Sequence, residues 1–298
     1  MDESRHAIRW LFPRIVAAVL VGLAIAMAAD IVRIGGLRPW LARHGLPPPY
    51  VPSGALVYIG GRSLYLDCRG TGSPTVVLES GMGDGAGAWA AVQDPLAAST
   101  RTCAYDRAGR GRSDARGPHT LSAAAADLHT LLDAAGESGP YIVVGHSLGG
   151  DHARIFADRY RDDVAGVVLV DAFDPDLEST FIHPLLGELR AGYEARLDGL
   201  RALVASVEDL RWAASEAELR ASSLAGLPID VLRAPRREPR LDDATNAAIA
   251  AAWVDAYESL SPGHVRYEIA WGAGHVIQVD RPDLVVDTIL RQVRGIRP

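Results

Sequence analysis

Short apolar runs alternate with helical stretches along most of the chain, and this alternation constrains the fold more than any other feature. The apolar runs are residues 56–59, 64–68, 75–78, 101–105, 141–144, 164–170, 229–232 and 265–270. Helical patterns cover residues 121–135, 148–160, 242–260 and 283–293. Strands that are apolar on both faces and separated by helices predict a mostly parallel sheet covered on both sides. Because ligands of such sheets bind at the carboxyl ends of the strands, we expect functional residues directly after strands.

The segment Gly145-His146-Ser147-Leu148-Gly149 lies between a predicted strand and a predicted helix. Its glycines permit a turn so tight that the central residue adopts a strained backbone conformation. Such a turn lifts the Ser147 hydroxyl above the sheet, and the positive end of the following helix points at it. The context of strand, turn and helix predicts that Ser147 is a nucleophile.

A serine hydroxyl needs a general base to act as a nucleophile at neutral pH. Among the nine histidines, His275 is the best placed, because it follows a strand in the glycine-rich segment 272–275 and precedes the last helix. His146 and His152 lie beside the nucleophile in sequence, where packing or local hydrogen bonds account for them. The sequence therefore predicts His275 as the base.

A site with a serine nucleophile and a histidine base needs a third residue, an acid. This acid accepts a hydrogen bond from the histidine and fixes its tautomer. Asp171 ends one predicted strand, and Glu238 lies in an Arg- and Pro-rich loop after another. Asp174 and Asp242 are weaker candidates. The residues alone leave the choice open, and we favour Asp171 with Glu238 as the alternative acid.

Acyl transfer passes through an oxyanion that backbone N–H groups must hold. The N–H of Leu148, directly after the nucleophile, is one predicted donor. The second is the N–H of Met82, in the glycine-rich loop 79–85 that follows a strand. This loop lacks the Gly-Lys-Ser/Thr ending of a phosphate-binding loop.

Charge and residue usage exclude several classes of function. The formal net charge is −7, which argues against non-specific binding to nucleic acid. All 30 basic residues are arginine, so lysine-based chemistry such as Schiff-base formation is excluded. Cys68 and Cys103 lack Cys-x-x-Cys spacing, so neither a structural zinc site nor a thioredoxin-like site is expected. The predicted serine chemistry implies no metal and no organic cofactor. The two cysteines are interpreted as buried thiols, with a disulfide as the alternative in an exported protein.

Residues 1–34 differ from the remainder of the chain. Three arginines precede an uninterrupted apolar run over residues 15–29. The run predicts a hydrophobic helix that anchors the protein in a membrane with its body outside the cytoplasm, although it also fits a cleaved signal segment and secretion. A buried N-terminal helix is a third interpretation. Residues 35–52 contain three consecutive prolines and predict a stiff linker, so the folded domain is expected over residues 53–298.

Taken together, these motifs resemble the α/β-hydrolase superfamily over residues 53–298. Residues 76–81 are similar to the family's strand and oxyanion loop, with Ser-Gly where His-Gly is familiar. Residues 106–114 are similar to the family's turn Asp-x-x-Gly-x-Gly-x-Ser, and the segment around His275 is similar to the family's histidine segment.

The resemblance implies an α/β fold with a mostly parallel eight-stranded sheet and a small helical cap over about residues 174–226. The family's acid usually follows the strand before the penultimate helix, where this chain has the atypical segment ending at Glu238. Some members place it after the preceding strand, which matches Asp171. The family's strand order would also place the strands of Cys68 and Cys103 side by side, which keeps a disulfide open.

The activity implied is that of a capped, esterase- or lipase-like serine hydrolase, which cleaves a carboxylic ester through an acyl-enzyme. The expected partner is a small-molecule ester with an apolar acyl group, as suggested by a cap that is rich in Leu and Ala as well as in Glu and Arg. An acyltransferase or a C–C hydrolase on the same fold is one alternative. A non-catalytic, membrane-tethered module that binds a ligand is another.

Overall fold

The computed structural model describes residues 51–172 and 183–296, which belong to one compact unit, Tyr50–Pro298. The predicted N-terminal helix, residues 35–50 of the predicted linker and the first part of the predicted cap lie outside the described residues. Among the described helices, none is long and apolar enough to cross a bilayer.

Eight strands form a single sheet in the order β1-β2-β4-β3-β5-β6-β7-β8. They are β1 (Ala55–Tyr58), β2 (Ser63–Arg69), β3 (Thr75–Glu79), β4 (Thr102–Tyr105), β5 (Tyr141–His146), β6 (Val164–Val170), β7 (Ile229–Arg233) and β8 (Val265–Ile269). Strand β2 pairs antiparallel with β1 and β4, and all other neighbouring strands are parallel. The predicted class, a mostly parallel eight-stranded sheet, is confirmed.

Helices follow most of the parallel strands. The α-helices of the described residues are α1 (Ala90–Ala97), α2 (Leu121–Ala134), α3 (Leu148–Arg159), α4 (Arg190–Glu208), α5 (Trp212–Ala221), α6 (Asp243–Leu260), α7 (Ile277–Asp280) and α8 (Pro282–Ile296). A 3-10 helix, His183–Leu189, leads into α4. The described part of the predicted cap, between β6 and β7, is therefore helical.

Successive residues of the central strands point into two different hydrophobic cores, as the twofold period of a strand requires. In β3, Val77 packs into the core under α2 and α3, while Val76 and Leu78 pack into the core under α1 and α8. All three side chains are fully buried. Both faces of the sheet are thus covered, and its carboxyl edge is the place left for a site.

Cys68 and Cys103 face each other across the antiparallel pair β2 and β4, with their Cα atoms 4.0 Å apart. The two sulfur atoms form a disulfide. The interpretation as two buried thiols is therefore wrong, and the pairing implied by the family's strand order is the one found. Both strands are neighbours in space although 35 residues separate the cysteines in sequence.

Candidate active site

Ser147 forms the junction between β5 and α3, with φ 51° and ψ −124°. This conformation is costly for a residue with a side chain. A Cβ on Gly145 would lie 2.3 Å from the carbonyl oxygen of Gly149, and a Cβ on Gly149 would lie 2.4 Å from that of Glu79. Only glycine fits at these two positions, so the local sequence forces the turn that exposes the serine hydroxyl.

A chain of polar contacts connects Ser147 to a histidine and a carboxylate. The Oγ of Ser147 lies 3.1 Å from Nε2 of His275. The other ring nitrogen, Nδ1, lies 2.6 Å from Oδ2 of Asp171. The three residues follow β5, β8 and β6, so the carboxyl edge of the sheet brings them together. When Nδ1 donates a hydrogen bond to the carboxylate, Nε2 carries no proton and can accept the hydroxyl proton of the serine.

Asp171 is fully buried and surrounded by donors. Its Oδ1 accepts the N–H of Ala234 at 3.1 Å, and its Oδ2 accepts Nη2 of Arg236 at 2.8 Å. Burial by itself raises the pKa of Asp171, but the hydrogen bond from His275 and the charges of Arg236 and Arg233 outweigh it and lower the pKa to about 2. The carboxylate is therefore ionised at neutral pH and can stabilise a positive charge on the imidazole.

Glu238, the alternative acid, is partly buried and lines a different cavity from the one that contains Ser147 and His275. Its carboxylate accepts Nε and Nη2 of Arg240 at 2.7 and 3.1 Å. Its backbone N–H donates to Asn246. The structure thus places Asp171, and not Glu238, against Nδ1 of His275.

Both residues predicted as oxyanion donors lie beside the nucleophile. Met82 and Leu148 line the same cavity as Ser147 and His275. Leu148 begins α3, so its N–H is one of the helix-start donors that have no partner within the helix. The loop that carries Met82 approaches so closely that a Cβ on Gly81 would lie 3.5 Å from Cβ of Ser147.

His146 supports the segment that carries His275. Its Nε2 lies 3.0 Å from the carbonyl oxygen of His275. Burial, followed by the neighbouring His275, lowers the pKa of His146 to about 4. The ring is therefore neutral at physiological pH, and its Nε2–H can donate to that carbonyl, in agreement with the local role predicted for His146.

The cavity above Ser147 has a volume of about 410 Å³. Leu197, Leu200 and Val204, all from α4, form its apolar wall. A second cavity of about 620 Å³ shares Tyr193, Arg196 and Arg236 with it. A small-molecule substrate therefore has room next to the nucleophile, with an apolar surface on one side.

Sequence reasoning missed two groups at this edge of the sheet. Arg236 contacts Asp171 directly, although 65 residues separate the two. Arg107 and Glu208 bond the loop that carries Met82 and lie 101 residues apart. The Arg-rich segment after β7 was a visible signal for the first group. Nothing in the sequence near Glu208 indicates the second.

Comparison with known proteins identifies similar chains. The family described as alpha/beta hydrolase fold matches residues 74–264. A protein named as a transporter, efuK of Hormonema carpetanum, is 35% identical over 143 residues, which is 45% of this chain and 19% of that protein. A protein named as a carbamate hydrolase, RutD of Azorhizobium caulinodans, is 41% identical over 92 residues, or 30% of this chain and 34% of that protein. The chain thus matches about a fifth and a third of these two relatives.

Solved structures resemble most of the chain. A thermophilic esterase from Thermogutta terrifontis superposes with a TM-score of 0.55 at 21% sequence identity, covering 83% of this chain and 100% of that one. At this level of identity the likeness shows the fold alone.

Proposed function

We propose that this chain, which belongs to the α/β-hydrolase family, is a serine hydrolase that cleaves a carboxylic ester through an acyl-enzyme on Ser147. The observation that carries the proposal is the chain of contacts from Asp171 through His275 to the Ser147 hydroxyl, at 2.6 and 3.1 Å. A strained turn and an adjoining cavity of about 410 Å³ support it.

Acylation begins when Oγ of Ser147 attacks the ester carbonyl carbon and Nε2 of His275 takes the hydroxyl proton. The carbonyl oxygen becomes an oxyanion, which the N–H groups of Met82 and Leu148 hold. The ionised Asp171 stabilises the imidazolium. When the tetrahedral intermediate collapses, the bond to the alcohol breaks and the alcohol leaves with the proton from His275.

Deacylation repeats these steps with water. His275 takes a proton from a water molecule that attacks the acyl carbon, and the acid leaves as the Ser147 hydroxyl is regenerated. An acyltransferase would use the same acyl-enzyme with an alcohol in place of the water. Carbamates, which the name of the RutD relative mentions, present a comparable carbonyl carbon.

The apolar wall from α4 supports an apolar acyl group in the substrate. Burying one methylene group against such a surface contributes about 0.8 kcal/mol. Esters whose acyl chain reaches Leu200 and Val204 should therefore bind better than acetate esters. The cavity volume of about 410 Å³ limits the substrate to a small molecule or the end of a chain.

A fluorophosphonate probe tests the proposal, because it phosphonylates a serine only when a base activates the hydroxyl. We expect peptide mapping to find the label on Ser147, with none on Ser147→Ala and at least a hundredfold slower labelling of His275→Asn. Hydrolysis of an ester series should be lost in the same two variants. The proposal would be wrong if the folded wild-type protein were not labelled and hydrolysed no ester or carbamate. That result would favour a non-catalytic module that binds a ligand.

A further inference from the structure

A buried arginine forms hydrogen bonds with the backbone of the loop that carries Met82. Arg107 follows β4 and is 4% exposed. Its Nη1 donates to the carbonyl oxygen of Ser80 at 2.6 Å, and its Nη2 donates to that of Gly81 at 2.8 Å. These two bonds fix the backbone directly before Met82.

A residue of the cap also bonds this loop. Glu208 is the last residue of α4 and is 3% exposed. Its Oε1 accepts the N–H of Gly83 at 2.6 Å and Nη2 of Arg107 at 3.0 Å. Met82 therefore lies between two residues whose backbone groups are both bonded, one to Arg107 and the other to Glu208.

Opposite charges reinforce the contact between Arg107 and Glu208. Arg107 also lies 3.4 Å from Glu79, so two buried carboxylates share one guanidinium. Burial raises the pKa of Glu79. Burial opposes ionisation of Glu208 as well, but the charge and hydrogen bonds of Arg107 outweigh it and lower the pKa of Glu208. Breaking an ion pair in such a place is costly, because it leaves an uncompensated buried charge.

The end of α4 is itself fixed to the body of the domain. Arg110 donates to the carbonyl oxygen of Val207. The backbone N–H of His119 donates to the carbonyl oxygen of Asp209 at 2.9 Å, and the backbone N–H of Arg211 donates to the carbonyl oxygen of His119 at 2.7 Å. The Glu208 carboxylate is thereby held in place by the residues on both sides of it.

We propose that Glu208, acting through Arg107 and Gly83, is a positioning residue for the oxyanion hole. The inference rests on the proposed function. The helix that ends in Glu208 also forms the apolar wall of the cavity, so one cap helix both contacts the acyl group and sets the position of the Met82 N–H. Displacing a donor by a fraction of an ångström weakens its bond to the oxyanion much more than its contact with the bound ester.

The test compares full-length Glu208→Gln with Glu216→Gln. Glu216 is a suitable control, because it is partly buried in the same cap and pairs with Arg201 at 3.0 Å, within the cap. We expect Glu208→Gln to lower kcat about 10- to 100-fold with KM within twofold of the wild type. Its affinity for a trifluoromethyl ketone, to which Ser147 adds to leave an oxyanion in the hole, should fall by a similar factor.

If Glu208 had a purely structural role, its replacement would change the thermal midpoint. It would leave kcat and the affinity for the ketone unchanged relative to the wild type. A folded Glu208→Gln variant that matches Glu216→Gln in kcat and ketone affinity would overturn the inference, and so would a change confined to KM. If Glu208→Gln does not fold, Glu208→Asp is tested instead, because it keeps the charge but shortens the side chain. A reduced kcat of Glu208→Asp supports the positioning role, and a wild-type kcat refutes it. A wild-type protein inactive in every assay would refute the proposed function itself.

Discussion

Backbone strain in this protein is concentrated at the candidate site. Among the described residues other than glycine, positive φ occurs at Ser147, Asp171 and Asp209, with values of 51°, 41° and 54°. The first two are the proposed nucleophile and acid, and the third follows Glu208. Each such conformation costs roughly 1–3 kcal/mol and persists only when its surroundings enforce it. The packing of the sheet edge therefore stabilises side-chain directions that an unstrained chain would not adopt.

Replacing Asp171 by Asn tests the acid at the residue scale. The amide can donate to Nδ1 of His275, which favours the tautomer with its proton on Nε2 and removes the acceptor that Ser147 needs. We expect kcat for a p-nitrophenyl ester to fall about 10³- to 10⁴-fold.

Glu238→Gln is the matched control for this prediction. Its carboxylate pairs with Arg240 on the surface, so kcat should stay within twofold of the wild type. If the losses were reversed between the two variants, Glu238 would be the acid and the contact at 2.6 Å would have no catalytic role.

The separation in sequence between two contacting residues decides whether their contact can be predicted from the sequence. Ser147 is readable because its turn is dictated by glycines two residues away. Asp171 and Glu238 could not be separated, because the choice depends on a contact that spans 104 residues. Glu208 could not be predicted at all, since an acidic residue at the end of an amphipathic helix usually faces solvent.

At the level of single elements, helix α4 contacts two different parts of the candidate site. Its middle turns present Leu197, Leu200 and Val204 to the cavity, and its last residue bonds the loop of Met82. Leu203 lies between these cavity residues in sequence and is 49% exposed. The helix therefore offers neighbouring positions of which some line the cavity and others face solvent.

Leu200→Trp should shorten the acyl chain that the protein accepts. The larger side chain fills part of the cavity of about 410 Å³, so kcat/KM for long-chain esters should fall at least tenfold relative to acetate or butyrate esters. Leu203→Trp adds the same volume on the exposed face and should leave the chain-length profile unchanged. Identical profiles for both variants would show that the acyl group does not lie along α4.

Elements with a strong apolar pattern were predicted closely. A helix was expected over residues 121–135, and α2 runs over Leu121–Ala134. Helix α1 was missed, because Pro95 lies inside it and glycines precede it, and both features are typical of loops. Its burial against the sheet outweighs those local preferences, and no local pattern reports such tertiary packing.

At the scale of the whole molecule, the disulfide between Cys68 and Cys103 ties an antiparallel edge of the sheet to its parallel centre. Closing a loop of this length stabilises a fold by about 4 kcal/mol when the unfolded chain is the reference. The double variant Cys68→Ala, Cys103→Ala should lose about 2–4 kcal/mol of unfolding free energy in urea. Dithiothreitol should lower the midpoint of the wild type and leave that of the double variant unchanged.

The disulfide also bears on where the protein works. Disulfides persist outside the cytoplasm and are rare within it. Together with the apolar run predicted in residues 15–29, this leads us to propose that the domain lies outside the cytoplasm. Lysis of cells under denaturing conditions in the presence of an alkylating reagent should then leave both cysteines unmodified. Two alkylated cysteines under these conditions would contradict both the disulfide and the proposed location.

Ser147 and Asp171 precede His275 along the chain, and this order matters while the protein is being synthesised. A growing polypeptide emerges with its N-terminus first, so it carries Ser147 and Asp171 long before His275, which lies 128 residues after the serine. Without that imidazole the serine is an ordinary alcohol. Under the proposed mechanism, the nascent chain is therefore inert toward esters, and its reactivity begins only when the last strand and the loop of His275 have joined the sheet.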